Sequence, residues 1–226
     1  MTSKTKFVFL LLAFAACKRE VPVTKIAFGS CGHEALPQPI LALAAAQKPD
    51  AFIYLGDNIY GDTDDMDTLR AKYDRLGAKK EFQQLASSAK ILATWDDHDF
   101  GRNDAGREYP YKKESKEIFL QFFKEPRSSA RRQHEGIYHA EYLKNGDKAV
   151  QILLLDVRTF RSNLTLMDKN NVELQKKYFY SLDYQPADSP DSTLLGAATM
   201  EVAGRRIAQA RRRSVDLQRL SIWNRI

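Results

Sequence analysis

The chain has 226 residues, 43% of them hydrophobic and 28% charged, ordinary for a soluble globular protein and enough for one domain with a real core. Its net charge of +6 would suit a polyanion, but seven arginines against one acid, Asp216, between Gly204 and Ile226 account for all of it. The body before Gly204 is neutral and carries no electrostatic footprint for nucleic acid.

Residues 1–16 read as a lipoprotein-type signal peptide. Lys4 and Lys6 give a basic start, and Phe7 to Ala16 is an apolar run too short to span a bilayer. Ala15-Ala16-Cys17 resembles a bacterial lipobox, with Phe14 where an aliphatic residue is usual. Cys17 would then carry lipid and anchor an exported protein; plain secretion or a buried helix are the alternatives. Residues 17–23 form a tether, 24–196 the folded domain, and 197–226 a basic tail. With Cys17 lipidated, Cys31 is an unpaired thiol, unusual in an exported chain. It is either a buried core residue or a metal ligand, with a Cys17–Cys31 disulfide as a third option.

Thr24 to Ser30 alternates as a strand, and Pro39 to Gln47 is a helix closed by Pro49. Ala51 to Leu55 is a short buried strand, stopped by Gly56 and followed by Asp57, Asn58, Tyr60 and Asp62. Strand, helix, strand implies a parallel pair whose carboxyl ends meet. Met66 to Leu76 is a helix with Thr63 or Asp64 as cap, Lys80 to Ser88 a second, and Lys90 to Trp95 the third strand. Phe100 to Tyr111 reads as a functional or mobile loop. Glu114 to Lys124 is a helix with Ile118, Phe119, Phe122 and Phe123 on its buried face. Gly136–Leu143 and Ala149–Asp156 form a hairpin about Asn145-Gly146. Ser162 to Ser192 reads as loop, with a short helix near Val172–Tyr178.

Four strand ends thus carry Cys31, Asp57 with Tyr60, Asp97 with His98, and Asp156 with Arg158. Oxygen-bearing side chains clustered at strand ends suit a ligand site of an α/β sheet. Phosphate-ester hydrolysis needs a metal to lower the pKa of a water, positive charge against the developing oxyanions, and an acid for the leaving group. Asp57 is the candidate bridge between two ions. A Tyr60 phenolate with a Cys31 thiolate favours Fe(III), while Asp57, Asp97 and Asn103 suit Ca²⁺. Other divalent ions, and a binuclear or trinuclear centre, fit the same donors. His98 is the candidate acid. His33, His134 and His139 read as non-catalytic. Arg158 and Arg161 either clamp phosphate or, the reading preferred here, pair structurally with Asp156 and Glu135.

Five stretches carry a family resemblance: Gly29–Cys31 (GSC), Leu55–Asp62 (LGDNIYGD), Trp95–Gly106 (WDDHDFGRNDAG), Glu135–Tyr138 (EGIY) and Leu155–Arg161 (LDVRTFR). They resemble the alkaline phosphatase D (PhoD-like) metallophosphatases, in register from about Lys25 to Arg161. The resemblance implies Cys31, Asp57, Tyr60 and Asp97 as metal ligands and His98 as acid. It also implies an α/β two-sheet metallophosphatase-like sandwich with metals at the strand ends. The family completes its site with a later glycine-aspartate and histidine block, whereas no histidine follows His139 here. The chain is therefore expected to be incomplete at its C-terminus. Residues from about Ala197, read one base out of frame, can spell the amphipathic helix that family members carry after a Leu-Gly such as Leu195-Gly196. A frameshifted tail is expected, against a genuine basic helix binding acidic lipid or a partner. The function expected is a metal-dependent phosphoric ester hydrolase acting on a phosphate-ester substrate, impaired in this chain. The alternative is a non-catalytic, metal- or partner-binding surface lipoprotein.

Overall fold

The computed structural model describes residues 24–212 except 147, 178–182 and 188. The signal peptide, Cys17, the tether and the tail beyond Arg212 lie outside the described residues. No described helix is long and apolar enough to cross a membrane.

Three short strands, β1 (Ile26–Gly29), β2 (Ala51–Tyr54) and β3 (Lys90–Ala93), pair in parallel in that order. All four side chains of β2 are buried, as expected for a central strand covered on both faces. Phe52 and Tyr54 point into the main core, and Ala51 and Ile53 into a second cluster with Leu92, Leu143, Ile152 and Leu154. The parallel arrangement brings the three carboxyl ends to one edge of the sheet.

The helices follow their sequence signals closely. Helix α1 (Pro39–Ala46) opens on proline and α3 (Lys80–Ser88) buries Leu85. The cap of α2 (Met66–Gly77) is Asp65, which accepts from Asp67 N at 3.1 Å, and not Thr63 or Asp64. Thr63 instead accepts from Asp65 N, and Asp64 pairs with Arg102. Helix α5 (Lys112–Phe122) starts two residues earlier than the sequence suggests and buries Ile118, Phe119 and Leu120. Between β3 and α5, the expected loop is preceded by a single helical turn, α4 (Asp97–Phe100).

After a 3₁₀ turn at Ala130–Arg132 comes the antiparallel hairpin β4 (His139–Asn145) and β5 (Lys148–Leu154). It packs on the parallel sheet through the second cluster, the Lys90–Glu141 ion pair at 3.0 Å, and a 2.6 Å bond from Thr94 Oγ1 to Leu155 O. The segment read as loop holds a two-residue ladder, β6 (Thr165–Leu166) with β7 (Tyr184–Gln185), and α6 (Val172–Lys177). Helix α7 (Gly196–Arg212) spans the expected start of the basic tail and buries Thr199. The fold is mixed α/β.

Two clusters of polar contacts tie these layers. Arg131, 3% exposed, bonds Ile137 O, Ala93 O and Glu125 and lies over the Phe119 ring. Asp156, fully buried, accepts five hydrogen bonds. They come from Trp95 Nε1, the backbone N–H groups of Ile137, Arg158 and Thr159, and Thr159 Oγ1.

Candidate metal centre

The loops after β1 and β2 are stitched together. Cys31 N donates to Gly56 O and Gly32 N to Asp57 O at 2.9 Å. Cys31 and Asp57 both adopt left-handed backbone, at φ 58° and 51°. Non-glycine residues hold that conformation at a cost, and such residues concentrate at functional sites. The Cys31 thiol lies 3.5 Å from Asp57 Oδ2, within reach for a weak S–H donor.

Helix α4, after β3, closes the arrangement through Asp99, which is fully buried. Its carboxyl accepts from Asp96 N at 2.7 Å, Asp57 N at 3.2 Å, Asn58 N at 3.3 Å and the Asn58 side-chain amide. Asp96 and Asp99 form a capping box on α4, and Asp99 at the same time fixes the turn that aims Asp57. Burial pushes its pKa up to about 8, against the pull of the Asp96 and Asn58 backbone N–H groups. Gly101 ends α4 at φ 155°, and an added Cβ would lie 2.2–2.4 Å from the Tyr109 ring. Gly101→Ala should therefore displace Tyr109 and lower stability by about 2 kcal/mol, read as a lower urea midpoint with an unchanged slope.

One atom each from Asp57, Asp97 and His98 lies within 4.8 Å of the others. Among the described residues, Asp57 Oδ1 is buried without a hydrogen-bond partner, and so is Asn58 Oδ1. An orphaned carboxylate oxygen in a protein interior calls for a cation or a donor. The pKa of Asp57 is raised by burial first and then by the Asp96 and Asp97 charges; the Cys31 thiol and His98 partly offset this. His98 Nδ1 is 2.7 Å from Asp62 Oδ1, which leaves Nε2 as its other ring nitrogen. Burial disfavours the imidazolium, but Asp62, Asp97 and Asp57 outweigh it and the pKa rises. His98 is thus placed as a potential ligand as well as an acid.

Tyr60 lies between two imidazoles, with ring centroids 4.3 Å from His98 and 4.9 Å from His33. Its pKa is raised by burial and by Cys31 and Asp57, so a phenolate there needs a cation to draw off its proton. The buried Glu34 accepts from Tyr60 N at 3.0 Å. Asp57 meets the Cys31 thiol and shares the cluster with Asp97 and His98, while the Tyr60 ring packs against His98.

Three sequence expectations change. Asn103 gives its amide to Asp104 at 3.2 Å and lines a separate cavity with Arg102, Tyr109 and Tyr184. Arg158 pairs with Asp96, and with Asp97 at 3.1 Å, not with Asp156 or Glu135. The Asp156 carboxylate is already engaged by the five donors above. The Arg161 guanidinium donates to the backbone carbonyls of Ser162 and Asp104. Burial, and then the Arg158 charge, lower its pKa against the pull of Glu108, Asp104 and Asp97. His33, Glu34, Asp62 and Asp99 are additions at the site. The Asp96-x-x-Asp99 spacing was the one available signal for Asp99; Glu34 had none.

No family model matches the sequence, and neither does any curated protein. Among solved structures the chain is similar to one described as the structure of PhoD, with a TM-score of 0.62 at 17% sequence identity. The match covers 81% of this chain and 39% of that one. At that identity the likeness is one of fold.

Proposed function

We propose that the chain carries the metal-binding part of a phosphoric ester hydrolase site of the alkaline phosphatase D kind. The observation that carries this reading is the orphaned Oδ1 of Asp57, on a carboxylate that clusters with Asp97 and His98. The neighbourhood of a PhoD fold supports it. Asp57 and Asp97 would hold a hard cation such as Ca²⁺, with His98 beside it as the acid. Cys31 and Tyr60, with Asp57 shared, would hold a softer and more Lewis-acidic one such as Fe(III). Bound metals of this kind supply a nucleophilic water at neutral pH and neutralise phosphoryl charge.

The chain's own residues do the rest. Asp57 is aimed by Asp99, and Asp97 is restrained by Arg158 and by the backbone N–H of Asp104 at 2.9 Å. His98, oriented through Nδ1 by Asp62, would hold a proton at Nε2 for the departing ester oxygen. By the same reading the chain is exported and anchored at Cys17, and a phosphate ester is its substrate.

A second reading, metal binding without turnover, is favoured by one contact. Arg158 is spent on Asp96 and Asp97, which neutralises a cation that would otherwise meet phosphate. Full chain loaded with Fe(III) and Ca²⁺ should hydrolyse bis(p-nitrophenyl) phosphate only weakly, as an impaired hydrolase would, and stop when chelator is added. Metal uptake without product supports the second reading. A chain that retains neither metal on desalting refutes both.

A further inference from the structure

We propose that the cavity at the N-terminal end of α5 is a binding site for a phosphoryl group, separate from the candidate metal centre. The cavity has a volume of about 610 Å³, within the range of small-molecule sites. Its charged lining is Lys112, Lys113, Lys116, Arg132, Glu117 and Glu135. None of these belongs to the cluster around Asp57. The inference stands without the hydrolase reading.

The charges do not cancel. Glu135 is paired with Lys112 at 3.0 Å and Glu117 with Arg132 at 2.8 Å. Two ammonium groups remain. Lys113 is exposed and makes no ion pair or hydrogen bond among the described residues. Lys116 is only 8% exposed, and its single partner there is the carbonyl of His134. An ammonium carries three donors, and the two carboxylates whose charges reach Lys116 are engaged elsewhere, Glu117 by Arg132 and Asp156 by its five donors. Burial lowers the pKa of Lys116 accordingly, which an anion in the cavity would reverse.

The backbone adds to the same field. Helix α5 has no side-chain cap at Tyr111, so its first N–H groups lack a capping side chain at the end of the helix from which Lys112 and Lys113 line the cavity. The positive end of an eleven-residue helix favours an anion. A compact, multiply charged oxyanion satisfies the helix end and both lysines together. The rest of the cavity leaves room for an organic substituent on the phosphoryl group.

Calorimetric titration of the full chain, stripped of metal with chelator, tests this. Inorganic phosphate should bind saturably at one site. Lys113→Glu and Lys116→Met should each weaken it at least about tenfold, while Asp57→Asn leaves it unchanged. Lys113 is exposed, so its variant keeps the test valid if Lys116→Met does not fold. Phenyl phosphate binding more tightly than phosphate would identify an esterified phosphoryl group as the ligand, and equal affinity would identify free phosphate. Absence of saturable binding, binding that survives Lys113→Glu, or binding lost with Asp57→Asn would each overturn the proposal.

Discussion

Asp57→Asn should abolish metal retention and any hydrolysis, and leave the metal-free chain at least as stable as before. The two halves of this expectation come from the same contacts. Asp57 is partly buried with Oδ1 unpartnered, and the Asp96 and Asp97 carboxylates face it. In the metal-free chain that arrangement is repulsive, and an amide relieves it. Asparagine also tolerates the left-handed backbone at this position, and its oxygen can still accept from the Cys31 thiol. In the proposed role of bridging ligand, Asp57 without its charge would be a poor ligand, so affinity should fall at least about a hundredfold. Metal content after desalting and thermal melts in chelator read the two effects separately. Retained metal would remove Asp57 from the site. A melting temperature lowered by several degrees would make it a structural residue instead.

The site was legible where chemistry follows local sequence. Cys31, Asp57 and Asp97 each sit just past a short apolar strand, and parallel pairing then places them on one edge. Tyr60 and His98 came with the same motifs. What sequence could not supply was the pairing between distant loops. Glu34 lies in an unremarkable turn, and its role under Tyr60 depends on a contact 26 positions away. Proximity in sequence pairs Arg158 with Asp156, but the Asp156 side chain is consumed by donors from three separate segments. The β6–β7 ladder is silent in the sequence because two-residue strands carry no periodicity to read. The hairpin, by contrast, announced its turn through Asn145-Gly146, and its register closes there as Asn145 opposite Lys148.

Asp156→Ala should be among the most destabilising single substitutions in the chain, although the residue takes no part in the proposed chemistry. Its carboxylate joins the loop after β5 to Trp95, which follows β3, and to Ile137, which precedes β4. Truncation leaves buried N–H and O–H donors from all three segments without partners. Each unsatisfied donor costs about 1–3 kcal/mol, and local relaxation recovers part of the sum. A loss of about 4 kcal/mol is expected, a large fraction of the stability of a domain this size. Trp95→Phe removes one of the five donors and keeps an aromatic ring in the core, so it should cost less. In the background of Asp156→Ala it should cost less still, because the indole N–H has already lost its acceptor. Urea unfolding of the two single variants and the double variant completes the cycle. Additive costs would mean that Trp95 and Asp156 stabilise the fold independently, and the shared hub proposed for these three segments would not exist.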